Sequence, residues 1–359
     1  MSYKQYLVVV PGIVLAFVLY TISQGFNNIL GIELLGYDKS PISTAMFAIL
    51  FGMLLGNIFK IRESFVKGLD FTQSYILKLG IICLGIQLKP FEFLEFGAIA
   101  IPLIVICIIS VLLVIKLLIK KLKIPTRMAY LISIGSTVCG TTAIMATAPV
   151  IKANKNEVSY AIANITLFGI LSMLIYPYFA NFYFDSEPLL VGLFLGTSIH
   201  ETSQVAAAGL IYEQQFNSPE TLNIATVTKL IRNTFLIIMI PLFAFLYNRG
   251  KTKEKNYSVL NIFPYFVIGF IGMILVRNIG DQIFTIENDN YNVWKNFIYY
   301  IKSLATVFLT MSMAAVGISI NLNELKSMGY KPFIVGFIAA ITVGIVSIIS
   351  IETFLKYFI

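Results

Sequence analysis

The chain has 359 residues, 58% of them hydrophobic and only 12% charged. An average soluble protein carries about 25% charged residues, so a conventional soluble domain is excluded. The net charge of +8 has no basic domain to carry it, which argues against nucleic acid; the basic residues lie between apolar runs, where they orient a membrane chain. The cysteines, Cys83, Cys107 and Cys139, sit in apolar stretches without CxxC spacing and give no disulfide or metal argument.

The fold class expected is an all-α polytopic membrane protein, a single transmembrane domain over residues 1–359. Lys4 precedes an apolar run, but no small-residue cleavage site follows in Val14–Gln24, so this run reads as a retained first helix. Nine segments approach the roughly 20 residues that a span needs. They fall at Tyr6–Ser23, Ile42–Phe59, Thr72–Leu88, Phe96–Leu118, Val158–Tyr178, Leu222–Tyr247, Ile262–Val276, Asn296–Ile320 and Pro332–Glu352. Two weaker segments, Thr126–Ile151 and Leu189–Tyr212, bring the hydrophobic segments to eleven.

The two weaker segments carry a repeated motif. Gly135–Ala148, GSTVCGTTAIMATA, returns 61 residues later as Gly196–Gly209, GTSIHETSQVAAAG. Gly135/Gly196, Thr141/Thr202 and Ala146/Ala207 are identical; Ser136/Thr197, Thr137/Ser198, Val138/Ile199, Thr142/Ser203 and Ile144/Val205 are conservative. Glycine and small hydroxyl residues in apolar sequence predict a backbone locally free of helical bonds, which a bilayer tolerates only inside protein or beside a wet cavity. Two interrupted segments in corresponding positions point to a transporter's binding site. A single such run would more often be a close-packing surface; its duplication favours the site.

A second pair lies outside the first: Leu84–Gly97 matches Val316–Gly329, with Gly85/Gly317, Ile86/Ile318, Glu92/Glu324 and Gly97/Gly329 identical. The expected organisation pairs hairpin-plus-helix units 125–180 and 186–247, and a second repeat pair 72–119 and 296–352. If both motifs are re-entrant or broken hairpins, 17 of the 26 Lys and Arg fall on one side and 5 on the other. The positive-inside rule makes the 17 cytoplasmic. The expectation is then nine crossings plus two hairpins, inverted repeats, N-terminus cytoplasmic and C-terminus outside, in the cell (inner) membrane. Full crossing by both motifs would make that pair parallel and weaken the charge bias.

Two helix N-termini meeting at mid-membrane make an anion site. The candidate substrate-binding residues are Ser136, Thr137, Cys139, Gly140, Thr141 and Thr142 in the first motif, with Thr197, Ser198, Thr202, Ser203 and Gln204 in the second. Lys229 and Arg232, three apart in TVTKLIRN, share one helix face. Each charge near a helix centre costs roughly 2.5–3.5 kcal/mol on insertion scales, so it marks a pathway or a pair. The competing reading is a structural pair, such as Lys229 with Glu201. Lys78 and Lys302, nearer span ends, are read as snorkelling to the interface. His200 is the sole histidine and Glu201 the sole acid deep in a span. HETSQ has Gln204 where the zinc motif HExxH needs its second histidine, so no metal site is expected. His200 and Glu201 are instead the candidate proton-coupling residues, against a structural role for a lone buried histidine.

The motifs CGTTAI, APVIKA, SIHETSQVAAAG, TKLIRN and AAVGISINLNELKSMGYKP, in this order, resemble those of the YeiH-like sulfate exporter family. The resemblance runs from about Thr72 to the C-terminus and is looser over the first helix and Gly25–Ser40. It implies the superfamily of cation/proton antiporters and anion transporters, with inverted repeats and broken or re-entrant helices. The matched positions are Cys139, Gly140, His200, Glu201, Gln204, Lys229 and Arg232. The function expected is a secondary transporter exporting a small inorganic or sulfonated anion, sulfate first, with proton coupling. The alternatives are a cation/proton antiporter on the same fold and a non-transporting receptor or scaffold. The deep charges, Glu201 against Lys229 and Arg232, favour the anion. No enzyme and no cofactor are expected; the partners are a small anion and the lipid bilayer, with a homodimer as the candidate assembly.

Overall fold

The computed structural model describes residues 3–34, 40, 42–122, 124–248, 265–285, 290–321 and 330–358. Every regular element among them is helical. Helix formation follows from the composition: where water is absent, a helix satisfies its backbone groups within one segment. Eight helices are long and apolar enough to cross a membrane among the described residues. The expected segment Arg249–Lys255 (RGKTKEK) and most of the second copy of the outer repeat, Val316–Gly329, lie outside the described residues.

In chain order the helices are α1 (Tyr3–Asn28), α2 (Thr44–Ile58), α3 (Glu63–Phe71), α4 (Leu77–Leu84), α5 (Pro90–Leu122), α6 (Thr126–Thr137), α7 (Thr141–Thr147) and α8 (Lys155–Tyr183). There follow α9 (Pro188–Ser198), α10 (Thr202–Phe216), α11 (Pro219–Thr234), α12 (Leu236–Asn248), α13 (Phe266–Ile283), α14 (Tyr291–Ser319) and α15 (Tyr330–Phe358). Eight of the nine expected spans correspond to the long apolar helices; the ninth, at Ile42–Phe59, is the 15-residue α2.

Two boundaries differ from the expectation. The span placed at Thr72–Leu88 begins at Glu63, because α3 and α4 run on through a π-helical turn, Thr72–Ile76. The charges of Lys67 and Asp70 hid this start, yet Gly68 of the same helix lies against the backbone of Val9 and Gly12 in α1. The span Leu222–Tyr247 is two helices, α11 and α12, meeting at Phe235, whose N–H bonds to the Arg232 carbonyl in a tighter turn.

The chain divides into two compact units: Met1–Leu94 with Ala206–Asn223 and Tyr265–Leu322, and Glu95–Val205 with Ile224–Pro264 and Asn323–Ile359. In the first, α2 and α14 pack backbone against backbone. Gly52 faces the Ala314 carbonyl, Gly317 faces the Ile49 carbonyl and Gly56 faces that of Ile318. Small residues permit this approach, which van der Waals contact rewards in the absence of a hydrophobic driving force between helices.

In the second unit α8 opens with a capping box. The Asn154 side chain accepts from the Glu157 N–H at 2.9 Å and the Glu157 carboxylate accepts from the Asn154 N–H at 2.8 Å. Asn164 of α8 donates to the Pro332 carbonyl of α15, and the hydroxyls of Thr197 and Ser347 meet at 2.6 Å. These buried polar links tie α8, α9 and α15 around the interrupted helices.

Candidate functional site

Both motifs fall on breaks between helices, in the same register. The helix α6 ends at Thr137 and α7 begins at Thr141; α9 ends at Ser198 and α10 begins at Thr202. Each boundary of the second break is the first plus the 61 residues of the sequence offset. At the first break Val138 takes φ −120°, ψ −89° and Gly140 takes φ +67°, ψ −130°. The chain folds back there. Ile144 lies against Gly135, where an added Cβ would stand 2.9 Å from its Cδ1; nine residues of straight helix would separate them by about 13.5 Å.

The last carbonyls of a helix have no partner within it, and here two helices end in the protein interior. Lys229 and Arg232 of α11 supply the partners; they are 0% and 1% exposed. Lys229 Nζ donates to the carbonyls of Val138 at 2.9 Å and Ile199 at 3.0 Å, and to that of His200. Arg232 Nε donates to Thr137 O at 2.7 Å, and Nη1 to Thr197 O at 2.7 Å and Ile199 O at 2.9 Å. Its Nη2 donates to Ser136 O. Two cations thus close the negative ends of α6 and α9 together, where helix dipoles favour positive charge.

Glu201 serves the opposite ends. It caps α10: its carbonyl accepts the Val205 N–H at 2.9 Å, and the Gln204 side chain reaches back to its N–H at 3.1 Å. Its carboxylate crosses to the other motif, where Oε1 accepts the N–H of Thr141, the first residue of α7, at 3.0 Å. Gly140 makes the room. A Cβ there would overlap Glu201 Cγ and lie 2.8 Å from Oε1. The sequence suggested Lys229 as a partner for Glu201; the structure gives Lys229 carbonyls and gives Glu201 a backbone amide.

The candidate residues separate into two layers. In the buried layer, with Lys229 and Arg232, three hydroxyls are turned onto their own helices: Thr137 to Ser133 O, Thr197 to Leu193 O and Ser198 to Phe194 O. Such back-bonding removes them as ligand groups in this conformation. Ser136 Oγ and both ring nitrogens of His200 are buried there without a hydrogen-bond partner among the described residues. Cys139 and Gln204 are buried too. The accessible layer holds Thr141, Glu201, Thr202 and Ser203, all half-buried, and the exposed Thr142.

Two further residues belong to the site and were not singled out from sequence. Asn233 Nδ2 donates to Thr202 Oγ1 at 3.0 Å. It stands four residues after Lys229, on the same face of α11, and that spacing was the available signal. Gly169 of α8 leaves space for the Gln204 carboxamide, which an added Cβ would overlap. Only the contact itself reveals that role.

A chain of long apolar helices, with two shorter ones interrupted in matching register around buried charge, is a membrane protein with several transmembrane helices. The family model described as conserved hypothetical protein 698 matches residues 11–336, and the chain belongs to that family, the YeiH-like family that its motifs resemble. A UPF0324 membrane protein of Streptococcus agalactiae serotype V is 35% identical over 339 residues, 94% of each chain. Similar UPF0324 membrane proteins are found in Fusobacterium nucleatum (32% over 308 residues, 84% of this chain and 88% of that one) and Clostridium tetani (30% over 350 residues, 94% of each).

Proposed function

We propose that the protein is a secondary transporter of a small anion, with sulfate the first ion to test and export its direction. The observation that carries the reading is the convergence of two equivalent helix breaks on two buried cations and a single carboxylate. The cations lie behind the breaks, while Thr141, Thr142, Thr202 and Ser203 bring hydroxyls to the accessible side at the starts of α7 and α10, the Thr141 N–H itself being held by Glu201. An anion seated there meets donors in front and positive charge behind. A bound cation would have one carboxylate, already held by an amide, and would face Lys229 and Arg232. Outward movement of an anion is assisted by an inside-negative potential at roughly 2.3 kcal/mol per charge per 100 mV. The cytoplasmic N-terminus and outer C-terminus follow the charge asymmetry of the loops.

Counterflow in proteoliposomes tests the proposal. Vesicles loaded with sulfate should accumulate labelled sulfate through the protein, and Arg232→Lys should abolish exchange while keeping the charge. Exchange of sodium or potassium against protons, with none of sulfate or other small anions, would refute anion transport and establish the cation/proton reading.

A further inference from the structure

Half of the Asn233 carboxamide is engaged and half is not. Its Nδ2 donates to Thr202 Oγ1 at 3.0 Å, which holds the start of α10. Its Oδ1 has no hydrogen-bond partner among the described residues, although Asn233 is only 3% exposed. A buried acceptor left unmet is costly, and its presence in a folded protein asks what fills it. The carboxamide is planar, so the oxygen stands beside the nitrogen that reaches Thr202. An occupant in contact with the Thr202 hydroxyl is therefore within reach of Asn233 Oδ1.

The neighbouring groups have the same mixed character. Glu201 Oε1 is held by the Thr141 N–H at 3.0 Å, while Oε2 makes no hydrogen bond among the described residues. Thr202 Oγ1 accepts from Asn233, which leaves its own O–H to donate. The site thus presents a hydroxyl donor next to two oxygen acceptors, with Lys229 and Arg232 buried behind. A bare oxyanion such as nitrate is drawn by the cations but sets oxygen against oxygen at Asn233 Oδ1 and Glu201 Oε2. A simple cation meets those oxygens but faces the two buried positive charges. An anion that keeps a hydrogen of its own satisfies both requirements.

We propose that the preferred occupant of the site is a monoanion bearing an O–H group, which it donates to Asn233 Oδ1 while an anionic oxygen accepts from Thr202. Hydrogencarbonate and hydrogensulfite are of this class. The inference rests on the anion reading and narrows its substrate class. Sulfate, being without a hydrogen at neutral pH, enters only with water or a protonated carboxyl to meet these oxygens, and so ranks below a hydrogen-bearing monoanion. A site built to bond a ligand's hydroxyl rejects the analogue that lacks it, because its own polar group is then left unpaired.

Hydrogencarbonate and nitrate provide the test, since both are planar monoanions of similar size and only the first carries an O–H. Calorimetric titration of the full-length protein in detergent at pH 8 should show hydrogencarbonate binding more tightly by roughly tenfold or more. Asn233→Leu should bring the two ions to about equal affinity by weakening hydrogencarbonate alone, and retained nitrate binding shows that the variant is folded. The parental comparison needs no variant and decides the substrate class by itself. Nitrate binding as tightly as hydrogencarbonate in the parent would overturn the proposal and leave the anion reading standing, the carboxamide then offering its N–H to the ion. Full preference kept in Asn233→Leu would overturn the role of Asn233. Binding of neither ion, nor of sulfate, would remove the anion reading and this inference with it.

Discussion

Replacing Gly140 by alanine perturbs the site at its tightest point. Two separable costs follow from the structure. The backbone stands at φ +67°, ψ −130°, which L side chains rarely adopt, and holding alanine there costs of order 1–3 kcal/mol. The new Cβ would also overlap Glu201 Cγ, so the carboxylate must leave the Thr141 N–H. A hydrogen bond to a charged group contributes about 1.5–3 kcal/mol, of which part is recovered from water because Glu201 is only half-buried. The expected loss is therefore about 2–5 kcal/mol, from the strain and hydrogen-bond figures together. Thermal unfolding in detergent measures it. Gly272→Ala is the control, because nothing lies within 4 Å of the Cβ it would add; it should be neutral or slightly stabilising, as alanine is in a helix. A cycle with Glu201→Ala divides the two costs. In that background Gly140→Ala should retain the backbone cost and lose the remainder. An unfolding temperature equal to the parent's would refute the geometry of the first break. Identical costs in both backgrounds would refute the placement of Glu201 against Gly140.

Two further outcomes follow from the same geometry and from the charge pattern. Lys229→Met and Arg232→Met should destabilise by about 3 kcal/mol or more each, since every carbonyl left buried and unpaired costs about 1–3 kcal/mol; unfolding temperatures at or above the parent's would refute the capping role. Single cysteines at Lys155 and Asp185, in protein lacking Cys83, Cys107 and Cys139, should react with impermeant maleimide from the cytoplasmic and the outer face respectively, and reversal at both would refute the orientation inferred from the loops.

Much of the architecture is legible in the sequence because lipid imposes a simple rule: long apolar runs become helices. The interruptions are legible for a different reason. Gly135–Ala148 and Gly196–Gly209 break that rule twice at one spacing, and the spacing carries through to the helix ends residue for residue. Partner choice is where the reading fails. The competing pairing of Lys229 with Glu201 suggests itself because side chains are visible in a sequence, whereas the acceptors of Lys229, the carbonyls of Val138, Ile199 and His200, belong to every residue alike. Only knowing where two helices stop identifies which carbonyls need a donor. The pairing of Lys302 with Glu213 escapes notice because 89 positions separate them, and the start of α3 escapes because its burial comes from contact between Gly68 and Gly12 rather than from hydrophobicity.

The arrangement of charge at the breaks bears on what an anion must bring with it. Each helix end carries roughly half an elementary charge, negative at the C-termini of α6 and α9 and positive at the N-termini of α7 and α10. Lys229 and Arg232 more than cancel the first pair and leave about one positive charge; Glu201, when ionised, cancels the second pair. A monoanion then neutralises the site as it stands. A dianion overshoots by about one charge unless Glu201 takes up a proton, and repulsion between a carboxylate and the incoming ion drives the same step. Sulfate binding should therefore strengthen as pH falls, with Glu201 facing Thr141 of α7 and Lys229, Arg232, His200 and Cys139 as the neighbouring titratable groups, while binding of nitrate should depend on pH far less. Glu201→Gln removes the proton-accepting group and should flatten the sulfate dependence without touching nitrate. The measurement is affinity for both ions, parent and variant, from pH 5 to 8. If sulfate affinity in the parent is as flat as that of nitrate, binding takes up no proton and Glu201 only holds α7 and α10 in place; if the variant keeps the full slope, the proton is taken up elsewhere.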